Sequence, residues 1–422
     1  MTVPNPQQPN PQQPNGGQPA SGQAKPQQGK FNLEGYRAVA AIVVVVFHAY
    51  QHNRYGEHWF WPLEGTFWHH ALMNTDMLVD MFFILSGFLL GYPYAKAALG
   101  VGKPKPARAF LLRRAVRLIP LYLIVVLVVW AISNPVLPGD WRDLVLHLTF
   151  THVWSNEKIF YTNGPAWTLG VEAYFYVLLA VLGAWAQRRL PRMRSKSAQV
   201  TALLTGTAVL IAISLVYKFW AVYAMRFPVD GWSIWFNPIA KLDIFAIGLL
   251  LAIACAAGLR WPNAGVRTLV GLSGAGVITL GIWLRYNHMP ETFSHTFFGA
   301  GIMLVVAATA LSLADGPRWL RWAPMVSLST VSYSIYLWHE PILRVIDGTR
   351  LLPRPGDPAA FYVTAVVLVA VAVPVAYLSY RVIEVPAQRV MGAFDRQGRP
   401  RDYYLPLPSV TRPVNPSHNG HL

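Results

Sequence analysis

An arginine and a histidine in the first long apolar run stand at a spacing that could serve chemistry. Eleven residues separate Arg37 from His48, so on a helix the two side chains would project within about 20° of one another, about 16 Å apart along the axis. A neutral imidazole can take a proton from a hydroxyl group near neutral pH. The spacing favours His48 as a general base, with the alternative that Arg37 is a membrane anchor and His48 an interfacial histidine.

Two more polar residues, Glu172 and His339, interrupt later apolar runs. Glu172 closes the segment Trp167-Thr-Leu-Gly-Val-Glu172, and His339 follows Ser332 by seven residues. A charge at the centre of a bilayer costs at least about 2.5 kcal/mol, so residues of this kind need a purpose. Glu172 would either orient a catalytic group or hydrogen-bond a neighbouring helix, and an interhelical hydrogen bond is also the alternative for His339.

Arg114 and Arg117 lie three residues apart in a basic segment, and therefore on one face of a helix. Two guanidinium groups at this spacing are suited to gripping a phosphate group. Anchoring to anionic lipid is an equally open interpretation of the same pair.

A metal site is the less favoured interpretation of the histidines. His48 and His52 have the i, i+4 spacing of metal ligands, but the sequence contains no His-Glu-x-x-His pattern. The single cysteine, Cys255, excludes a cysteine-rich site and an intrachain disulfide. We therefore expect no metal cofactor.

The composition places these residues in a membrane protein. Of 422 residues, 54% are hydrophobic and 13% are charged, whereas soluble domains carry about 25% charged residues. Apolar runs of about 16 to 22 residues recur, and each is long enough to cross most of a ~30 Å hydrocarbon core. We predict an all-α integral membrane protein with about ten transmembrane helices, near 36–51, 76–94, 112–132, 167–187, 200–220, 239–258, 267–285, 296–314, 327–346 and 360–381.

The formal charge of +16 follows membrane topology rather than indicating a nucleic-acid partner. With both termini cytoplasmic, 23 of the 35 Lys and Arg residues fall in cytoplasmic segments and 7 in outer loops, as the positive-inside rule requires. This orientation puts the three arginines named above near the cytoplasm, and the two histidines and Glu172 toward the outer half. It predicts a multi-pass protein of the cell (plasma or inner) membrane, in which an anionic cytosolic donor meets an acceptor deeper in or across the membrane.

Three segments divide the chain. Residues 1–30 contain seven Pro, eight Gln and no aromatic residue, which predicts a disordered tail, and they lack the pattern of a secretory signal. Residues 31–386 hold all the predicted spans in one membrane domain. Residues 387–422 form a cytoplasmic tail that is first basic and then Pro-rich.

Five motifs, in this order, resemble those of the acyltransferase 3 family of integral membrane O-acyltransferases. They are Leu33-Glu-Gly-Tyr-Arg37 with His48 eleven residues on, Phe82-Phe-Ile-Leu-Ser-Gly87, Arg113-Arg114-Ala-Val-Arg117-Leu-Ile-Pro120, Trp167-Thr-Leu-Gly-Val-Glu172 and Ser332-Tyr-Ser-Ile-Tyr-Leu-Trp-His339. The resemblance runs from about Phe31 to Pro386. Glu34 and Tyr36 stand where the family usually has Asp and Leu, and Thr168 stands where it has Ser.

The resemblance implies transfer of an acyl group, most often acetyl, from acyl-CoA to a hydroxyl of a sugar, a cell-surface glycan or a glycosylated natural product. Acyl-CoA, with acetyl-CoA as the first choice, would be the donor substrate. Carried over residue by residue, it assigns catalysis to His48, Glu172 and His339, and donor binding to Arg37, Arg114 and Arg117.

Two points stay open at this stage. Many spans with intramembrane polar groups would also suit a transporter or flippase for a glycan or glycolipid, although no matched pair of Gly- or Pro-broken spans appears in the two halves. The acyl group could pass directly to the acceptor or through an acyl-histidine, and these residues do not specify the acceptor.

Overall fold

The computed structural model describes residues 31, 33–287, 289–312, 317–349, 351–357 and 359–394, and the regular structure of these residues is helical. The only extended pairings within them are two isolated bridges, Tyr55 with Phe60 and Trp261 with Ser312. The prediction of an all-α protein is confirmed. The predicted tail at 1–30, and the later tail beyond Phe394, lie outside the described residues.

Fifteen α-helices follow one another along the described part of the chain. They are α1 (Glu34–His52), α2 (Phe67–Met73), α3 (Val79–Ala98), α4 (Ala107–Ser133), α5 (Trp141–Leu148), α6 (Ala166–Arg189), α7 (Lys196–Phe219), α8 (Trp232–Trp235), α9 (Leu242–Ala257), α10 (Ala264–Tyr286), α11 (Glu291–Ala310), α12 (Ala323–Thr330), α13 (Ser332–Asp347), α14 (Ala360–Ser379) and α15 (Val385–Phe394). Short 3₁₀ or π turns extend several of them, at Asn74–Leu78, His152–Trp154, Leu190–Arg192, Trp220–Ala224, Arg318–Arg321 and Tyr380–Glu384.

Seven continuous helical stretches within the described residues are long and apolar enough to cross a membrane. They are Phe67–Ala98, Ala107–Ser133, Ala166–Arg192, Lys196–Ala224, Ala264–Tyr286, Glu291–Ala310 and Ala360–Val390. Each coincides with one of the predicted spans, because an apolar run in lipid must satisfy its backbone groups internally and a helix does so. The fold is that of a multi-pass membrane protein.

The other three predicted spans are also helical, but each is shorter, more polar or interrupted compared with the seven stretches above. Helix α1 carries Glu34 and Arg37 near its start, α9 has 16 residues, and the run at 327–346 is broken at Val331 into α12 and α13. The Ser332 hydroxyl donates to the Ser329 carbonyl oxygen at 2.9 Å across this break. A backbone acceptor left by the end of α12 is thereby satisfied inside the protein.

Helices α3 and α9 approach each other closely because each presents a glycine to the backbone of the other. A Cβ atom on Gly87 would lie 2.2 Å from the carbonyl oxygen of Phe245, and one on Gly248 would lie 2.2 Å from that of Ile84. No side chain fits at either position without separating the two helices. This contact holds α3, which carries Ser86 into the site described below.

Helix α1 lies at the centre of the packing, against α3, α12, α13 and α14. The middle of its buried face consists of small side chains that are at most 1% exposed, namely Ala38, Ala40, Ala41, Val44 and Val45. Small side chains let neighbouring backbones come close. The C-terminal half of α1 is thereby placed beside α13, and this brings two of the predicted site residues together.

Candidate active site

The histidines of α1 and α13 meet. The ring centroids of His48 and His339 lie 4.9 Å apart, and the ring planes are inclined by 59°. Nδ1 of His339 lies 3.3 Å from the carbonyl oxygen of Ile335, which assigns the proton of the neutral ring to Nδ1 and leaves Nε2 as an acceptor. That Nε2 atom is buried and has no hydrogen-bond partner among the described residues. The pair therefore presents an unused basic nitrogen beside His48.

A carboxylate that the sequence analysis did not assign, Glu340, lies close enough to His48 to act on it electrostatically. Its Oε1 accepts a hydrogen bond from Arg344 at 2.5 Å, while its Oε2 is buried without a partner in the part of the chain that the structure describes. Gly164 makes room for it, since a Cβ atom there would lie 2.2 Å from Oε2. The available signal was an acidic residue next to His339 in an apolar run.

A cavity of about 270 Å³ opens among α1, α3, α4, α6 and α13. Its charged lining consists of three arginines and one glutamate, namely Arg37, Arg114, Arg117 and Glu172. We call it the arginine-lined cavity. Because the cations outnumber the single carboxylate, the lining favours an anionic ligand.

In the part of the chain that the structure describes, the arginines of this cavity are not paired with carboxylates. No ion pair joins Arg37, Arg114 or Arg117 to a carboxylate among the described residues, and Nε of Arg114 is buried without a hydrogen-bond partner there. A guanidinium group stays charged in a protein, and a buried charge is costly until an acceptor completes it. The predicted donor-binding arginines are thus gathered in one cavity, and Nε of Arg114 is an unused donor there.

Glu172 stands at the contact of α3 and α6. The Ser86 hydroxyl donates a short hydrogen bond to its Oε1, so the interhelical hydrogen bond considered from the sequence is present. Its charge also acts on Arg37 and Arg114, which explains how an acidic side chain is tolerated inside a span. Glu172 belongs to the arginine-lined cavity, and no contact among the described residues joins it to His48.

Tyr336 connects the arginine-lined cavity to the histidine pair. It lines the cavity, and its ring centroid lies 5.8 Å from that of His339 and 5.8 Å from that of Phe82. The predicted residues therefore form two adjacent groups, the arginines with Glu172 and the two histidines, separated by one aromatic ring. A long anionic ligand held at the arginines could extend past Tyr336 to the histidines.

A second group of buried charges lies apart from the predicted residues. Nζ of Lys218 donates to Oδ2 of Asp243 at 2.7 Å, and Nδ1 of His295 lies 2.5 Å from Oδ2 of Asp80. Nζ of Lys241 lies 3.7 Å from the other oxygen of Asp80. The signal for this group was the presence of charged residues within the apolar runs at 200–220 and 239–258.

Among the residues that the structure describes, one set of side chains has the geometry to hold a metal ion. It comprises Asp76, Glu291 and His295. Arg285 already lies there, since its guanidinium donates to Glu291 at 2.7 Å and to Asp76 at 3.4 Å. The carboxylates are thus partly neutralised by a protein cation, and we route no step through a metal.

Comparison with known proteins identifies the family. A family model described as an acyltransferase domain matches residues 31–381. The chain belongs to the acyltransferase 3 family. Acyltransferase MdmB of Streptomyces mycarofaciens is 26% identical over 86% of this chain and 92% of its own length.

Two further relatives of this acyltransferase 3 protein cover a similar share of it. The O-acetyltransferase OatA of Staphylococcus aureus is 24% identical over 85% of this chain and 57% of its own length, and BcsY of Komagataeibacter xylinus is 24% identical over 85% of this chain and 83% of its own. No solved structure matches. The comparisons identify a transferase enzyme and give no support to the transporter alternative.

Proposed function

We propose that this acyltransferase moves an acyl group, acetyl in the first instance, from acyl-CoA to a hydroxyl group of a sugar, a cell-surface glycan or a glycosylated natural product. The observation that carries the proposal is the arginine-lined cavity beside the pair formed by His48 and His339. This arrangement combines a place for an anionic donor with a base for a hydroxyl acceptor. The name of the relative OatA, an O-acetyltransferase, supports transfer to oxygen.

The phosphates of the donor would lie against Arg114 and Arg117, with Arg37 adding a third positive charge. Guanidinium groups match phosphate oxygens in geometry as well as in charge. The unpartnered Nε of Arg114 is one donor that such an oxygen would satisfy. Glu172 would hold the arginines in position, and the pantetheine arm would pass Tyr336 and bring the thioester to the histidines.

His48 would act as the general base. Its neutral ring takes the proton of the acceptor hydroxyl while the oxygen attacks the thioester carbonyl, and the resulting tetrahedral intermediate expels the CoA thiolate. The thiolate takes the proton back from the imidazolium, so the products are an ester and free CoA. The protonated ring can donate to Nε2 of His339, and the carboxylate of Glu340 stabilises its charge.

The proposed topology has ten crossings, with both termini on the cytoplasmic side of the plasma or inner membrane. Support comes from the distribution of Lys and Arg and from the helical state of all ten predicted runs. The arginine-lined cavity would then face the compartment that supplies acyl-CoA. In this arrangement residues 31–386 form the catalytic membrane domain, and residues 1–30 and 387–422 form cytoplasmic tails.

Replacement of His48 by asparagine tests the proposal. The full chain in phospholipid nanodiscs receives radiolabelled acetyl-CoA and a crude cell-envelope glycan fraction, and both free thiol and labelled glycan are followed. We expect His48→Asn to lose about 100-fold or more of the transfer rate, because removal of a general base typically costs this much.

The matched control is His52→Asn on the same helix. The ring of His52 lies at the surface, where Nε2 is 3.1 Å from Asp347, so this variant should keep wild-type activity. Equal transfer by wild type and His48→Asn would remove His48 from the mechanism. Passage of labelled glycolipid across the bilayer without acyl turnover would replace the enzyme proposal by a transporter.

A further inference from the structure

A second cavity, of about 320 Å³, lies between the segment that follows α7 and the start of α11. Its lining is mainly aromatic and includes Phe227, Trp232, Trp235 and Phe236. We call it the tryptophan-lined cavity. Sites for small molecules commonly have this size and combine aromatic walls with a few polar groups. The mechanism proposed above makes no use of it.

Lys241 lines this cavity with an ammonium group that lacks a hydrogen-bond acceptor among the described residues. The side chain is 3% exposed, and its nearest carboxylate oxygen, Oδ1 of Asp80, lies 3.7 Å from Nζ, beyond hydrogen-bond distance. Its other described neighbours are aromatic faces, with Nζ 4.9 Å from the ring centroid of Phe236 and 5.8 Å from that of Trp167. A buried ammonium requires acceptor oxygens, which a ligand in the cavity would supply.

The charges beside Lys241 are balanced. Asp80 faces Lys241 through one carboxylate oxygen and lies 2.5 Å from Nδ1 of His295 through the other, so Nε2 is the ring nitrogen of His295 that is left for a ligand. Glu291, at the same cavity, is paired with Arg285 at 2.7 Å. The site thus offers the ammonium group of Lys241 and Nε2 of His295 next to carboxylates that offset the positive charge. Such a site fits a neutral, hydroxyl-rich ligand better than a phosphate or carboxylate.

We propose that the tryptophan-lined cavity binds a neutral sugar ring of the acceptor. This inference rests on the proposed function. The indoles of Trp232 and Trp235 pack against the apolar face of the ring, Lys241 donates to one of its oxygens, and Nε2 of His295 forms a hydrogen bond with one of its hydroxyl groups.

The indole of Trp167 contacts a wall residue of each cavity. Trp167 packs against Phe236 of the tryptophan-lined cavity, with ring centroids 4.5 Å apart, and against Phe83 of the arginine-lined cavity at 5.9 Å. Trp167 therefore links the wall of the proposed sugar site to the wall of the donor cavity.

Binding is measured first, without turnover. Methyl β-D-glucopyranoside and methyl N-acetyl-β-D-glucosaminide are the probes, observed by saturation-transfer NMR with the full chain in phospholipid nanodiscs free of glycoside detergents. The variants are Trp235→Ala and Thr292→Trp, the second of which fills the cavity without replacing a buried charge. The matched control is Trp283→Ala on α10, whose side chain is 59% exposed. We expect saturation transfer from wild type and control, and its loss in both variants.

Steady-state kinetics with labelled acetyl-CoA provide the second readout. We expect Trp235→Ala to raise the KM for the glycan acceptor by about tenfold, the effect of losing one aromatic contact. The KM for acetyl-CoA and the acceptor-independent hydrolysis of the thioester should stay at the wild-type level. Lys241→Met should also raise the KM for the acceptor by about tenfold. If Lys241→Met does not fold, Thr292→Trp replaces it in this measurement.

The outcomes separate this inference from the proposed function. Wild-type transfer, together with variants that keep the acceptor KM and the saturation transfer of the control, would overturn the sugar site and leave the enzyme proposal standing. If wild type transfers acetyl to no glycan, the enzyme proposal is contradicted. The binding of the two sugar probes would then show whether the tryptophan-lined cavity is a sugar site. Saturation transfer that is present in wild type and lost in Thr292→Trp would support the sugar site. The absence of saturation transfer in wild type would overturn it.

Discussion

The imidazole rings of His48 and His339 stand 4.9 Å apart, although they come from the first and one of the last helices of the membrane domain. Two protonated rings at this separation repel each other, so a second proton on the pair costs more free energy than the first. A pair with this property suits a reaction that removes one proton from a hydroxyl group and returns it to a thiolate. Their relationship leads to the first prediction.

Replacement of His339 by asparagine should lower kcat by about 100-fold, because the protonated His48 loses its acceptor. The KM for acetyl-CoA should stay close to wild type, since His339 does not line the arginine-lined cavity. Initial rates at varied acetyl-CoA separate the two constants. A raised KM with unchanged kcat would instead place His339 in donor binding.

Loss of the arginines proposed to bind phosphate should weaken binding of the acyl-CoA donor and leave binding of the acceptor unchanged. We expect Arg114→Met and Arg117→Met each to raise the KM for acetyl-CoA by about 10- to 100-fold, the value of a hydrogen bond to a charged group. Arg108→Met, an exposed position at the start of the same helix, is the control. Acetyl-pantetheine, which lacks the nucleotide phosphates, should be used equally by wild type and variants, and a difference with that substrate would argue against a phosphate contact.

A single methyl group added between α3 and α9 should destabilise the protein, because the two backbones pack in direct contact. Gly87→Ala and Gly248→Ala each place a Cβ atom 2.2 Å from a backbone oxygen, so we expect a loss of about 1–3 kcal/mol in the free energy of unfolding. Gly206→Ala on α7 meets no atom within 4 Å and should be neutral or stabilising by up to about 1 kcal/mol. Thermal unfolding in nanodiscs compares them, and equal melting temperatures would refute the close packing.

A buried histidine outside the spans should make stability depend on pH. His152 lies between α5 and α6, where burial and the neighbouring His147 lower its pKa from the ordinary value to about 3. The two rings stack with centroids 4.2 Å apart, and Nδ1 of His147 lies 3.1 Å from Asp143. Below pH ~6.5 this histidine binds a proton in the unfolded chain but stays neutral in the folded chain. Acid therefore favours the unfolded state, and the free energy of unfolding is highest above that pH and falls as the pH drops toward 3.

Melting curves at pH 7.5 and pH 5.0 measure this effect. Wild type should lose up to about 2 kcal/mol over this interval, and His152→Phe, which has no proton to bind, should lose less. The same loss in both proteins would show that other groups control the response to acid.

Local sequence determined the helices and what lies along each of them. Apolar runs predicted the helical segments because a membrane leaves the backbone no other way to satisfy its polar groups. The three-residue spacing of Arg114 and Arg117 placed both in one cavity, as their shared helix face required. The span predicted at 327–346 is broken at Val331, where Ser329, Thr330 and Ser332 surround the break and the Ser332 hydroxyl donates to a backbone carbonyl oxygen inside the protein.

Tertiary packing decided which helices bring their polar groups together. The sequence marked His48 and His339 separately, but their contact depends on the small-residue face of α1 that lets α13 come close. Packing also put Glu340, rather than Glu172, near His48 and left Lys241 without a hydrogen-bond acceptor beside a cavity. The period of a helix is encoded within a few residues, whereas its rotation and its partners are set by side chains far apart in the chain, so these relationships belong to the folded structure.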